Sequence, residues 1–347
     1  MESNSLVAIM ILAFGGLASA SFYAPLKLVK WKWEIMWTFY AIFALLVVPN
    51  VVAPIAMPSC WEAIGQTEGK TLFLTFLFGA LWGIGGLTFG LSMRYLGIGL
   101  GTAVALGCCA LVGTLVGPFI AGNADIYASK AGFIILLGVF ICGLGIAING
   151  VAGMLKEKDT ASDEAPQTEF NLVKGLSVAV MAGVLSACFA ISLSFGAPIA
   201  KTAFGLAVDA GMEKETASLF METPVLIVTL FGGFLVNFFW CLFLAKKNNS
   251  FGDFKAHATS TNGVFLVLCL LGSALWYTQF FLLGVGKSYM PEEMKFVSWG
   301  ILMSFVIVFA GIIGLMFGEW KGTAKITKSV LWLGILVLVS STFVMTL

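Results

Sequence analysis

Long apolar runs separated by single charges or short charged clusters organise this chain. Ten intervals are free of Asp, Glu, Lys and Arg: 3–26, 35–61, 71–93, 95–124, 131–155, 175–200, 223–245, 258–286, 296–318 and 329–347, each 19 to 30 residues long. A helix crosses the hydrocarbon of a bilayer in about 20 residues. An ion inside that layer is costly, so charges at the boundaries with none between them mark spanning helices. Backbone groups in lipid must be satisfied within a helix or a closed barrel, and uninterrupted apolar runs lack the alternation of barrel strands. The pattern therefore predicts an all-α integral membrane protein with ten transmembrane helices.

Boundaries follow from the punctuation. The first helix is expected over 6–25, closed by Pro25, and the second to end near 52, where Pro49, Pro54 and Pro58 fray it into a loop. The third ends at Arg94 and is joined by a very tight turn to the fourth, which ends near Pro118. The remaining helices are expected over 131–155, 172–199, 223–245, 259–283, 296–317 and 329–346. Polar connections of any length are confined to 156–171 and roughly 201–222. The segment KEKDTASDEAPQTE lies near the midpoint and has the composition of a disordered, water-exposed linker. It divides the chain into 1–155, a cytoplasmic linker 156–171, and 172–347.

Two segments echo one another across that linker. Leu77 to Gly101 holds eight glycines, Trp82 and a single charge at Arg94, and Leu271 to Met290 is a weaker copy with Trp276. Gly16 to Phe22 also matches Gly183 to Phe189 at a constant offset of 167 residues. These pairings set the first helix against the sixth and the third against the eighth. Each half has five helices, an odd number, so the second half must enter the membrane from the opposite side, as two inverted five-helix repeats.

Composition agrees with the pattern. Of 347 residues 59% are hydrophobic and 11% charged, where soluble domains carry about 25% charge, and the mean hydropathy is +1.00. A net charge of +1 argues against nucleic acid as a partner. Lysines and arginines number 13 in the odd-numbered connections and 6 in the even-numbered ones. That bias places the odd connections in the cytoplasm and both termini outside. The start, MESNSLVAIM, has no basic residue and is not expected to be a cleaved leader. Six of the seven cysteines, all but Cys60, lie inside apolar runs and are expected as buried, unpaired side chains.

The candidate chemistry is that of a pathway. GCCALVG lacks metal-ligand spacing, and Gly83, Gly85, Gly86 and Gly90 lack the strand and turn of a phosphate loop. His257 lies in a basic connection. No metal, no cofactor and no polar catalytic cluster is expected, hence no enzyme. The polar groups that lipid would penalise are Asn149, Asn237, Asn262, Gln279, Tyr277 and Thr88, with Trp82 and Trp276 beside them and Tyr23 at the end of the first helix. Amides both donate and accept, which suits a neutral polyhydroxylated solute, and tryptophan suits the apolar face of a sugar ring. The same amides also serve as glue between helices. Glu34, Glu222 and Glu319 lie nearest helix ends, where a carboxylate can exchange a proton as its access changes. Glu34 is favoured because tryptophans flank it and Lys27, Lys32 and Arg94 share its side. Arg94 is a candidate gate partner for Glu34.

Several stretches together resemble one family: SASFYAPLKLVKWKWEIMW (Ser19 to Trp37), LFGALWGIG (Leu77 to Gly85), GLSMRYLGIGLG (Gly90 to Gly101), EFNLVKGLSVAVMAGVLSA (Glu169 to Ala187), WYTQFF (Trp276 to Phe281) and SWGILMSF (Ser298 to Phe305). The chain is similar to the bacterial L-rhamnose–proton symporters, a branch of the drug/metabolite transporter superfamily. That resemblance implies an inner-membrane carrier taking up a 6-deoxyhexose with a proton. Tyr23, Lys27, Glu34, Trp82, Arg94, Asn237, Asn262, Trp276, Tyr277 and Gln279 match its pattern. The sequence departs from it at Gly86 to Phe89, where the enterobacterial members have asparagine, isoleucine, asparagine and tyrosine. It departs again at Ser194 and Ala197, where they have asparagine and lysine. Those departures bear on which sugar is bound. Export of a metabolite or drug, and a membrane receptor that moves nothing, are the competing readings.

Overall fold

The computed structural model describes residues 4–96, 98–120, 122, 124–160, 172–252, 259–318 and 320–345, excluding the side chains at 90, 93, 94, 98–100, 102, 103, 131, 172, 259, 260 and 293. The principal helices are α1 (Ser5–Ser21), α2 (Trp33–Ala56), α3 (Gly69–Leu96), α4 (Ile98–Ile120), α5 (Lys130–Thr160), α6 (Leu172–Phe195), α7 (Thr223–Lys247), α8 (Thr259–Ser288), α9 (Ser298–Met316) and α10 (Lys325–Val344). Among the described residues there is no strand, and nine helices are long and apolar enough to cross a membrane. A shorter apolar helix covers Val104–Ile120. The chain is thus an all-α, multi-pass membrane protein. The Arg94 side chain, Glu319, His257 and linker residues 161–171 lie outside the described residues.

The expected fraying of α2 at its prolines does not occur. The helix runs on through Val48–Ala56, and Ile42–Val47 form a π-helical turn just ahead of it. A proline ring presses on the carbonyl four residues back, which for Pro49 is that of Leu45 inside the widened turn. The Asn50 amide donates to the Leu46 carbonyl at 2.6 Å, a further bond to a carbonyl of the same widened turn. The connection expected over 201–222 is also largely helical, as Ala197–Asp209 and Lys214–Phe220, with α6 ending at Phe195. Lys156 to Thr160 continue α5.

Small residues set the packing. A Cβ on Gly79 of α3 would lie 2.1 Å from the Thr229 carbonyl oxygen of α7, and one on Gly232 would lie 2.3 Å from that of Phe76. The two backbones meet with nothing between them, the approach that glycine allows in a membrane. A hydroxyl cluster fastens the same junction: Ser192 of α6 donates to the Thr75 carbonyl at 2.6 Å and shares a 2.8 Å hydrogen bond with Thr229, all three residues being fully buried. Around this centre the partners are exchanged between the halves of the chain. α1 packs on α8 and α9, α6 packs on α3 and α4, and α5 packs on α10.

Because neither helix can retreat without breaking the hydroxyl cluster, Gly79→Val is expected to destabilise the protein by about 3 kcal/mol or more, read as a lower unfolding temperature in detergent. Gly65→Ala, where nothing lies within 4 Å of the new Cβ, should leave that temperature unchanged.

Candidate functional site

Aromatic rings form a connected series through the middle of the bundle. Trp33 stacks on Trp37 at 5.2 Å, Trp37 meets Tyr40 at 4.6 Å, and Tyr40 lies edge-on to Trp276 at 6.1 Å. Trp276 stacks on Trp82 at 5.8 Å and touches Phe280 at 4.7 Å. Phe189, fully buried, joins Trp82, Phe280 and Trp299 at 5.2, 4.1 and 5.5 Å. Offset and edge-on contacts of this kind hold rings in register beyond simple burial. Trp82 and Trp276 remain only partly buried. Gly233 makes room for the stack, since a Cβ there would fall 2.3 Å from the Trp82 ring.

Polar groups gather on this series. Trp37 donates its indole N–H to Asn237 Oδ1 at 3.0 Å, and Asn237 Nδ2 donates to the Gly233 carbonyl at 2.9 Å. Gln279 is buried and donates to the carbonyl of Trp276 at 3.0 Å. Tyr277 is 2% exposed, and its hydroxyl has no hydrogen-bond partner among the described residues. A buried, unpaired hydroxyl costs about 1–3 kcal/mol. Hence Tyr277 holds a donor and acceptor in reserve. Gly86, one helical turn beyond Trp82 on the same face, is exposed, with nothing within 4 Å of the place a Cβ would take.

The other sequence-derived candidates lie apart. Asn149 donates to the Gly145 carbonyl and packs on Gly334, at the contact of α5 with α10. Thr88 and Ser194 bond carbonyls of their own helices, at Ile84 and Gly85 and at Ala190. Tyr23 is exposed, edge-on to Phe22, and Lys27 is exposed. Asn262 accepts from the Trp31 indole at 3.3 Å. Glu222 pairs with Lys287 at 3.4 Å.

Glu34 has partners that the sequence did not announce. Its Oε1 accepts from Asn248 Nδ2 at 3.0 Å and from Ser250 Oγ, both just beyond the end of α7. Among the described residues it is the one buried carboxylate, at 6% exposed, and no lysine or arginine is buried. Tyr40, Phe189 and Trp299 were also missed, since an aromatic residue within an apolar run has no distinguishing spacing. A run of KKNNS at the end of an apolar interval was the available signal for Asn248 and Ser250, as the signature of a helix C-terminus.

The whole chain, residues 1–347, matches the family model described as L-rhamnose-proton symport protein (RhaT). It is similar to proteins named L-rhamnose-proton symporter from Salmonella typhi, Salmonella gallinarum and Salmonella newport. Each is 37% identical over 331 residues, covering 94% of this chain and 92% of the relative.

Trp37→Phe strands the Asn237 carbonyl in the core and should cost about 1–3 kcal/mol. The double variant with Asn237→Leu should cost less than the two single effects added together. Thermal unfolding of the three variants in detergent measures that coupling.

Proposed function

The chain belongs to the L-rhamnose-proton symport protein family, and from that premise we propose that it is a secondary active carrier taking up L-rhamnose or a close 6-deoxyhexose with a proton by alternating access. Membership makes it a transport protein rather than an enzyme. The proposed frame is ten spanning helices in two inverted halves, 1–155 and 172–347, joined by the cytoplasmic connection 156–171 in a bacterial inner membrane with both termini periplasmic. The exchange of partners supports the repeat: α1 on α8 and α9 becomes α6 on α3 and α4 when five is added to each helix number, counting round from ten to one. The lysine and arginine bias supports the orientation.

The stacked Trp82 and Trp276 pair carries the assignment of the site. Two corresponding residues of an inverted repeat meet at the axis relating the halves, and carriers so built bind their solute there, near the bilayer midplane. An indole face suits the apolar face of a deoxyhexose, including its methyl group. Gln279, the Tyr277 hydroxyl and Asn237 are the proposed hydroxyl-binding groups. The open space at Gly86 is where this chain reads the sugar differently from relatives with asparagine there.

Glu34 is the proposed proton site, because it is a carboxylate in the bundle with neutral donors rather than a lysine or arginine as its hydrogen-bond partners. Symport requires that sugar and proton each stabilise the other's bound state and that the singly loaded carrier reorient poorly. Glu222 with Lys287 ties the opposite end of the second half.

Labelled rhamnose should accumulate in membrane vesicles under an inward proton gradient and should equilibrate only when that gradient is collapsed. Accumulation indifferent to the gradient, or loss of preloaded sugar instead of uptake, overturns the reading. Trp276→Ala and Gln279→Ala should each raise the half-saturating sugar concentration about tenfold, the equivalent of one lost contact of about 1.4 kcal/mol. Gly86→Asn should fold normally and shift competition among deoxyhexoses, measured with a panel of unlabelled sugars.

A further inference from the structure

The end of α7 is built to present two side chains to Glu34. Asn248 closes the helix through its N–H to the Leu244 carbonyl at 2.8 Å, and Asn249 follows with φ of 51°, in the left-handed region. Ser250 then sends its N–H back to the Ala245 carbonyl at 2.9 Å. This is the closed turn in which a helix satisfies its last carbonyls by one left-handed residue, a place taken by glycine and less often by asparagine. It fixes residues 248–250 as a rigid cap, and Ser250 is fully buried. Asn248 and Ser250 are aimed at a single oxygen, Glu34 Oε1, at the start of α2. Trp31 to Asn262 and Trp37 to Asn237 join the same end of α2 to α8 and α7.

Resting on the symport reading above, the geometry points to Asn248 and Ser250, held by the left-handed turn at Asn249, as positioning residues that keep this end of the carrier shut while Glu34 is ionised. Two donors on one oxygen favour the charged carboxylate, and a proton on that carboxyl weakens both bonds together. Release of α2 from α7 is thereby tied to the proton. Among the described residues, the charged and titratable groups around Glu34 are Lys32 on its own side and Cys241 on α7, with Lys246 and Lys247 exposed at the end of that helix. None of these is a hydrogen-bond partner of the carboxylate, so removal of the cap isolates the contribution of the two neutral donors.

The test uses the full-length protein in proteoliposomes and reads proton-driven rhamnose uptake against pH. Ser250→Ala is expected to move the half-maximal pH of uptake upward by about one unit, the shift that follows from losing one hydrogen bond to a charged group. Ser250→Thr keeps the hydroxyl and should restore the parental profile. Asn249→Gly should match the parental protein, while Asn249→Val, strained in the left-handed region, should reproduce the Ser250→Ala shift. A second readout needs no sugar. Amide hydrogen exchange over 246–251, corrected for intrinsic rates, should lose protection on acidification in the parental protein. It should be unprotected at every pH in Glu34→Gln. A parental pH profile in Ser250→Ala and Asn249→Val, with uptake intact, overturns the proposal, as does protection that ignores pH. Parental protein whose uptake ignores the proton gradient sinks the symport reading, and the latch with it.

Discussion

The bundle depends on α3 and α7 lying backbone to backbone. Lipid offers no hydrophobic drive between helices, so their association rests on close packing and on hydrogen bonds made inside the hydrocarbon. Gly79 against Thr229 and Gly232 against Phe76 supply the first, and Ser192 with Thr75 and Thr229 supplies the second. Trp82 can then lie over Gly233 and reach Trp276 on α8. A methyl group at Gly233 would push the ring away, and the aromatic series from Trp33 to Trp299 would part at its middle. The site is thus a consequence of how flat one helix pair is.

Most of the fold was legible because lipid makes charge placement unforgiving. The ten charge-free intervals contain the apolar bodies of the ten long helices, and errors concentrate where the cost of exposure is small. Prolines at 49 and 54 read as breakers, yet the helix runs on through both, with a π-helical turn just ahead of the first. Residues 201–222 carry charges at intervals and read as a connection, although they are largely helical, in Ala197–Asp209 and Lys214–Phe220. Such helices carry both signals at once.

The site was legible in part, for a similar reason. Trp82, Trp276, Tyr277 and Gln279 stood out as polar or aromatic groups in a glycine-rich apolar run; Trp82 stacks on Trp276, and Gln279 bonds the carbonyl of Trp276. Asn149 stood out by the same rule and is found bonding its own helix against Gly334. An amide in an apolar run reports only that it needs a partner, not whether that partner is a helix or a solute. Glu34 was visible as a carboxylate among tryptophans, but its partners come from more than two hundred positions away in a segment that reads as a loop.

Neutral donors around Glu34 have a consequence that a lysine or arginine would not. A lysine or arginine bonded directly to the carboxylate would favour the ionised form strongly. Hydroxyl and amide donors favour the ionised form less strongly. They also leave the protonated form electrically neutral in a place where charge is costly. In the proposed mechanism a change of charge on this carboxyl alters how α2 is held to α7. Among the described residues the bundle thus keeps one buried carboxylate, and in the proposed mechanism its protonation state and the grip between two helices are a single variable.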